Sequence, residues 1–295
     1  MSTSTAAGRH KGNLYIALTL TTTFMVIEVI GGLWTGSLAL LADAAHMLTD
    51  AGGLALALLA IKFAERDRTP QNTFGYVRTE VLSALTNAVV LLLLTVYILY
   101  EAYQRFKSPP EIIGGPMLAV AVAGLVVNLI SMRLLASGSQ ESLNVKGAYF
   151  EVLADMLGSL GVIVAAAVVL LTGWQLIDPI IGAGIGLFIV PRTWILLKQA
   201  IHILMEGTPP EIDVLLLEKK LKEIPGVIEV HDLHVWTITS GIDAMSAHLV
   251  VNDLASGRET VAAARNVMKT GFGLDHLTIQ LETQVLKEAE AKLQF

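Results

Sequence analysis

Two closely spaced groups of ionisable side chains, five residues in all, fall in or beside long apolar stretches. In Leu40-Leu41-Ala42-Asp43-Ala44-Ala45-His46-Met47-Leu48-Thr49-Asp50, two aspartates and a histidine occupy positions i, i+3 and i+7. In Glu151-Val152-Leu153-Ala154-Asp155, two carboxylates occupy i and i+4. Residues four apart on an α-helix share a face, with Cβ atoms ~6 Å apart, so His46–Asp50 and Glu151–Asp155 can each close on one cation. Two such helices packed face to face would supply one imidazole and three carboxylates. That is a tetrahedral set for Zn²⁺ or a similar first-row divalent ion. Three carboxylates in an apolar surrounding, with no Arg or Lys among them, require a cation, either metal or protons. Asp43, one turn outward from His46, reads as an entrance ligand or a hydrogen-bonding residue. The chain has no cysteine, which leaves imidazole, carboxylate and carbonyl as the available ligands and excludes disulfides and iron–sulfur clusters.

The elements that must position these residues follow from the distribution of charge. The chain has 295 residues, 54% hydrophobic and 16% charged, against roughly 25% charged in ordinary globular proteins. Residues 209–295 carry 13 acidic and 8 basic side chains, whereas residues 1–208 carry 13 and 12 over more than twice the length. An apolar first part therefore precedes a soluble, acidic tail. A membrane-spanning helix needs about 20 mostly apolar residues. Val81–Tyr100, Ile112–Met132 and Met156–Ile177 meet that length without one charged residue. Asn13–Trp34 with Glu28, Leu38–Phe63 with Asp43 and Asp50, and Ile180–Met205 with Arg192 and Lys198 complete six spans. The first is too long and too polar for a cleaved signal peptide. Small residues beside the polar ones, Ala44, Ala45, Gly52 and Gly53 in the second span and Ala154, Gly158 and Gly161 in the fifth, let these helices approach closely. To bring Glu151 and Asp155 to the depth of His46, the fifth helix should begin near Glu141–Leu143, with Lys146 in a hydrated vestibule. Glu28, Asn87 and Asn128 read as hydrogen-bonding groups between helices.

Six spans place both termini on one side. Arg9, Lys11, Lys62, Arg66, Arg68, Arg78, Arg133 and Lys146 flank one set of helix ends, and only Arg105 and Lys107 the other. The positive-inside bias makes the termini cytoplasmic. An acidic balance without a basic patch argues against nucleic acid as a partner. After Glu206–Pro210 the periodicity changes. Ile212–Ile224 is helical and stops at Pro225-Gly226. Val227–Thr239 and Ala244–Asn252 read as a hairpin turning at Ser240-Gly241. Arg258–Thr270 is a second helix and Leu277–Thr283 a third strand. The expected fold is an α-helical membrane protein with six transmembrane helices and a C-terminal α+β, ferredoxin-like domain of order αββαβ. Its parts are a cytoplasmic tail over 1–12, a six-helix transmembrane domain over 13–207 and a cytosolic domain over 208–295.

Four motifs in this order, Ser37–Asp50, Thr73-Phe74-Gly75-Tyr76, Glu151–Ser159 and His231-Asp232-Leu233-His234-Val235-Trp236, resemble the cation diffusion facilitators, most nearly the cobalt–zinc–cadmium resistance and bacterial zinc-efflux subgroup. The resemblance runs from the first span to Glu282. It implies a homodimeric, proton-coupled divalent-metal antiporter in a bacterial cytoplasmic membrane, multi-pass, in contact with lipid, metal ions and protons. It also implies that His46, Asp50, Glu151 and Asp155 form the transport site. Many zinc-selective relatives have His where this chain has Glu151, a harder and more anionic choice that keeps Co²⁺, Cd²⁺, Ni²⁺ and Mn²⁺ open beside Zn²⁺ as cargo. A metal site in the loop between the second and third spans is not expected, because Glu65–Tyr76 contains no His. The His-rich loop that many homologues carry before the fifth span is missing from Ala136–Val145. Arg78 and Glu206 match a charge pair that holds a relative's dimer at the membrane surface.

The resemblance also assigns a regulatory cytosolic metal to His231, His248 and Glu282, with Gln280 at a fourth matching position. His234 is expected to pack or to support the ligands, and His276 to lie at the surface. No resident cofactor and no enzymatic activity are expected. The chain carries no His-Glu-x-x-His or other nucleophile–base motif, and four protein ligands leave no open coordination position. The alternatives in order are a membrane metal sensor and an intramembrane metalloenzyme.

Overall fold

The computed structural model describes residues 11–64, 66–136, 143–239, 241–285 and 287. The side chains of 11–15, 49–50, 53–61, 64 and 143–148 lie outside the description. Six long helices come first: α1 (Lys11–Thr35), α2 (Leu38–Ala64), α3 (Thr79–Lys107), α4 (Gly114–Ala136), α5 (Leu143–Thr172) and α6 (Ile177–Leu204). Five of them are long and apolar enough to cross a membrane, and in α2 the described apolar portion is Leu38–Leu48. Helix α5 begins at Leu143, and Lys146 falls among the side chains outside the description. Then follow α7 (Val214–Lys222), β1 (Val227–Thr239), β2 (Ile242–Val251), α8 (Gly257–Phe272) and β3 (His276–Glu282). This is the expected αββαβ order, with boundaries shifted by one to two residues.

The chain divides into two compact units. One comprises Met1–Ala57 with Thr86–Leu197, the other Leu58–Leu85 with Lys198–Phe295. In the first unit small residues alternate with large ones at the helix contacts. Ala39 and Leu40 of α2 pack with Met117 and Ala121 of α4 and with Val162, Ala165 and Ala166 of α5. Leu38 and Ala42 pack with Ile98 and Ala102 of α3 and Ala183 of α6. In lipid, where apolar burial gives no advantage, close backbone approach and the dispersion contacts it permits hold helices together. Gly158 of α5 is the clearest case: a Cβ there would run into the Asp43 carboxylate of α2.

In the second unit a three-stranded sheet of order β1-β2-β3 pairs β1 and β2 antiparallel and β2 and β3 parallel. Gly241 at the hairpin has φ +76°, a conformation that costs glycine least. Alternation along the strands sends Val230, Val235, Met245, Ala247 and Leu249 into one core with Leu217 and Leu221 of α7 and Ala264 and Met268 of α8. Asp213 caps α7, its carboxylate accepting from the backbone N–H groups of Leu215 and Leu216. The two helices cover one face of the sheet, and the other carries polar and apolar side chains together, Trp236, Ala244 and Val250 among the latter.

Candidate metal sites

In the first unit the structure brings together one residue from each predicted pair. His46 Nε2 lies 3.8 Å from Asp155 Oδ1, with the two side chains 12% and 8% exposed. That separation is too long for a hydrogen bond. Two donor atoms on one tetrahedral zinc sit roughly 3.3 Å apart, so a small closure would place both on a single ion. Glu151, one turn from Asp155, directs Oε1 to 3.6 Å from Arg192 Nη2 of α6. Asp50 continues the His46 face of α2, and its side chain lies outside those described.

Asp43 takes part in a different arrangement. It is 1% exposed. Ser159 Oγ of α5 donates to its Oδ2 at 3.5 Å, and Asn128 Nδ2 of α4 donates to Ser159 Oγ at 3.3 Å. Glu28 of α1 approaches the same carboxylate; it is fully buried, and among the described residues neither of its carboxyl oxygens accepts a hydrogen bond. Asp43 and Asn128 thus join α2, α4 and α5 through hydrogen bonds one turn from His46.

Sequence reasoning missed the group that fixes the start of α2. Asp178 of α6 is fully buried. Its Oδ1 accepts from Ser37 Oγ at 2.5 Å and from Ala39 N at 3.2 Å, and its Oδ2 accepts from Leu38 N at 2.7 Å. Ser37 Oγ in turn accepts from Leu40 N at 3.1 Å. A carboxylate there satisfies the orphan N–H groups of α2 and opposes the positive end of its dipole. Arg105 of α3 completes the set. It lies 3.6 Å from Asp178 Oδ2, binds Glu101 Oε1 at 3.0 Å and donates to the Gly36 carbonyl. An acid one residue before Pro179 signals a helix start in the sequence, but not that it caps a different helix.

In the second unit His231 and His248 face each other across the β1–β2 ladder, and Gln280 pairs with His248 across β2–β3. Alternation puts Glu282 on the same face, opposite the core. His231 Nε2 is 3.0 Å from Glu282 Oε2, and His248 Nδ1 is 2.6 Å from Glu282 Oε1. One ligand atom from each of the three residues falls within 4.8 Å of the others. Glu282 is fully buried, and Gln280 Nε2 donates to its Oε1 at 2.8 Å. Two imidazoles and a carboxylate held this close form a three-ligand site for a divalent ion, with a position left for a fourth group.

The sequence also gave no notice of Asp232. The register shifts between His231 and His234, and Asp232 takes φ +47°. This bulge brings His234 onto the face of His231, although three residues of plain alternation would have separated them. Asp232 reaches His234 Nε2 at 3.0 Å and His248 Nε2 at 3.6 Å. His234 is exposed rather than packed, and it connects to the ligands through Asp232. His276 is exposed at the start of β3. Arg78 Nη2 lies 3.2 Å from Glu206 Oε1, so the two pair within one chain. Phe74, Tyr76 and Arg78 wall a cavity of about 830 Å³ with Leu233 and Trp236 of β1.

An imidazole and a carboxylate that approach each other between two membrane-length helices, followed by an αββαβ domain with an imidazole–carboxylate cluster, define a membrane protein with two candidate metal sites. Residues 14–205 match the family model of the cation efflux transmembrane domain, and residues 209–284 match that of the cation efflux protein cytoplasmic domain, a dimer module. The chain belongs to the cation efflux family. It is 49% identical over 290 residues to the metal cation efflux system protein CzcD of Cupriavidus metallidurans, covering 98% of this chain and 92% of that one. It is 41% identical to the cadmium, cobalt and zinc/H(+)-K(+) antiporter of Bacillus subtilis, covering 94% and 90% of the two chains. It is also 41% identical to the zinc transporter ZitB of Escherichia coli, covering 92% and 87%.

Proposed function

We propose that this chain expels divalent metal, Zn²⁺ foremost and Co²⁺ or Cd²⁺ beside it, in exchange for protons across a bacterial cytoplasmic membrane. It does so as a homodimer with both termini in the cytoplasm. The domain assignment is a tail over 1–12, a transport domain over 13–207 and a cytosolic domain over 208–295. His46, Asp50, Glu151 and Asp155 bind the transported ion. The observation that carries this reading is the approach of His46 and Asp155 to 3.8 Å from two different membrane-length helices. The relatives, named for metal efflux, zinc transport and cadmium, cobalt and zinc antiport, supply the cargo class.

The chemistry follows from the ligand types. Imidazole and carboxylate bind metal only when deprotonated, so loading releases protons and protonation from the far side expels the ion. Histidine as a residue type exchanges its proton near neutral pH, which suits it to this coupling. His231, His248 and Glu282 bind a second, regulatory ion. Asp43 lines the approach to His46, and the Arg78–Glu206 pair steadies the membrane-proximal part of the dimer.

The test is metal flux into proteoliposomes under an imposed pH gradient. Wild type should transport Zn²⁺, Co²⁺ and Cd²⁺ at a rate that rises with the gradient, and Asp50→Ala or Asp155→Ala should abolish it. Undiminished metal-driven proton release in either variant refutes the assignment. Metal-dependent signalling without flux points to a sensor.

A further inference from the structure

Arg192 is a membrane-span charge that the transport scheme leaves unused. It stands in the middle of α6, one residue after Pro191 and 12 residues before Leu204, about 18 Å along the helix from that end. Glu151 stands eight residues after Leu143 on α5, about 12 Å from the corresponding end. Antiparallel neighbours joined by a short turn, these helices put the two residues at a similar depth. The guanidinium meets Glu151 Oε1 at 3.6 Å, whereas Asp155, the other member of the same helix pair, faces His46. A charged group at bilayer depth is costly unless it is paired or hydrated, and an arginine there is a functional hypothesis by default. On an ordinary surface an ion pair this exposed would contribute little. Between two membrane-length helices, separating these charges costs more than it would on an open surface.

We propose that Arg192 is a tethered competitor for the transport site, holding the Glu151 carboxylate while the metal is away and yielding it when the metal binds. This rests on the reading of Glu151 as a ligand of the transported ion. An arriving divalent cation replaces one positive charge on Glu151 with another, so the carboxylate is accompanied throughout. Binding is weakened by the free energy of separating the pair, and release is helped by its return. Arg192 therefore sets affinity and turnover in opposite directions: it lowers the first and raises the second. A residue that merely braced α5 against α6 would not do this, since its loss would weaken binding and transport together.

The experiment uses the full-length protein in detergent and in proteoliposomes, with the cytosolic cluster silenced by His231→Ala and His248→Ala, and Zn²⁺ as the probe. Calorimetric titration of Arg192→Gln should show Zn²⁺ binding tightened about tenfold, the equivalent of 1.4 kcal/mol. Flux through the same variant should show a lower KM and a lower turnover number. In a Glu151→Gln background the Arg192 substitution should change neither quantity. Arg192→Lys keeps a charge but loses the planar reach of the guanidinium; it should tighten binding by less, and it serves if Arg192→Gln is not recovered as a folded dimer. Unchanged or weaker binding in Arg192→Gln or Arg192→Lys, with Glu151→Gln still impaired, overturns the competitor role and leaves Glu151 as a ligand. Wild-type binding and flux in Glu151→Gln overturns the ligand reading and the proposal with it.

Discussion

Replacing Asp178 by Asn tests how α2, the helix that carries His46 and Asp50, is held in place. The substitution keeps the shape of the side chain and removes its charge. In the native arrangement Oδ1 serves Ser37 Oγ and Ala39 N, while Oδ2 serves Leu38 N and faces Arg105. An asparagine has one acceptor oxygen. If it keeps the Ser37 side, its amino group points at the Leu38 N–H and the guanidinium, donor against donor. One charge-assisted hydrogen bond, about 1.5–3 kcal/mol, is lost outright. Arg105, with its side chain 13% exposed, also loses a counter-charge and keeps Glu101 and the Gly36 carbonyl. The total is about 3 kcal/mol, at the low end for breaking a buried pair from one side. For a domain of this size that lowers the melting temperature by about 6–12 °C. The assay is thermal unfolding of the purified dimer, wild type beside Asp178→Asn, Arg105→Gln and the double variant. Because Asp178 and Arg105 touch, Arg105→Gln should cost at least about 1 kcal/mol less in the Asp178→Asn background than alone. A shift below about 2 °C for Asp178→Asn, or strictly additive losses, refutes the view that this carboxylate anchors the start of α2.

Other outcomes follow from the same geometry. Gly158→Ala should force α5 away from Asp43, costing about 1–3 kcal/mol as an overpacked contact and lowering Zn²⁺ flux by about tenfold or more; wild-type flux would show that the Gly158–Asp43 approach is not needed. His248→Ala removes one of three ligands from the cytosolic cluster and should weaken metal binding there by about a hundredfold or more, beyond the range seen for outer partners of a metal site. Zn²⁺ at a hundred times its Kd should stabilise the cytosolic domain by about 2.7 kcal/mol, and thermal scans should show that gain lost in the variant. In the same domain Lys287 holds the Glu229 carboxyl below its ordinary value, Lys220 does so for Glu223, and Lys269 for Asp275. Their contribution is complete above the ordinary carboxylate range and is lost as pH falls through the lowered values. Acid titration of thermal stability should therefore show a decline there that added salt diminishes, since the Lys220 and Lys269 pairs are exposed and the Lys287 pair is only half-buried; an insensitive profile would show that the pairs contribute nothing.

What the sequence determined by itself is what depends on local chemistry and period. Apolar runs of membrane length define the spans, because no water in the bilayer core can satisfy an open backbone. Spacings of four, His46–Asp50 and Glu151–Asp155, place the proposed ligands of each pair on one helix face. Strand alternation brings His248, Gln280 and Glu282 to the face of the sheet opposite the core. What only the tertiary structure decided is which of these charges face one another. Asp178 caps a helix that begins 141 residues earlier at Ser37, and nothing local to either residue encodes the other. His234 joins the side of His231 because of a bulge at Asp232, which period-two counting cannot contain. Arg192 reaches Glu151 from a different helix, 41 residues further along the chain. Local period fixes which face a side chain occupies, but a charge acquires its partner only through packing, since Coulomb attraction depends on distance in space and not along the chain.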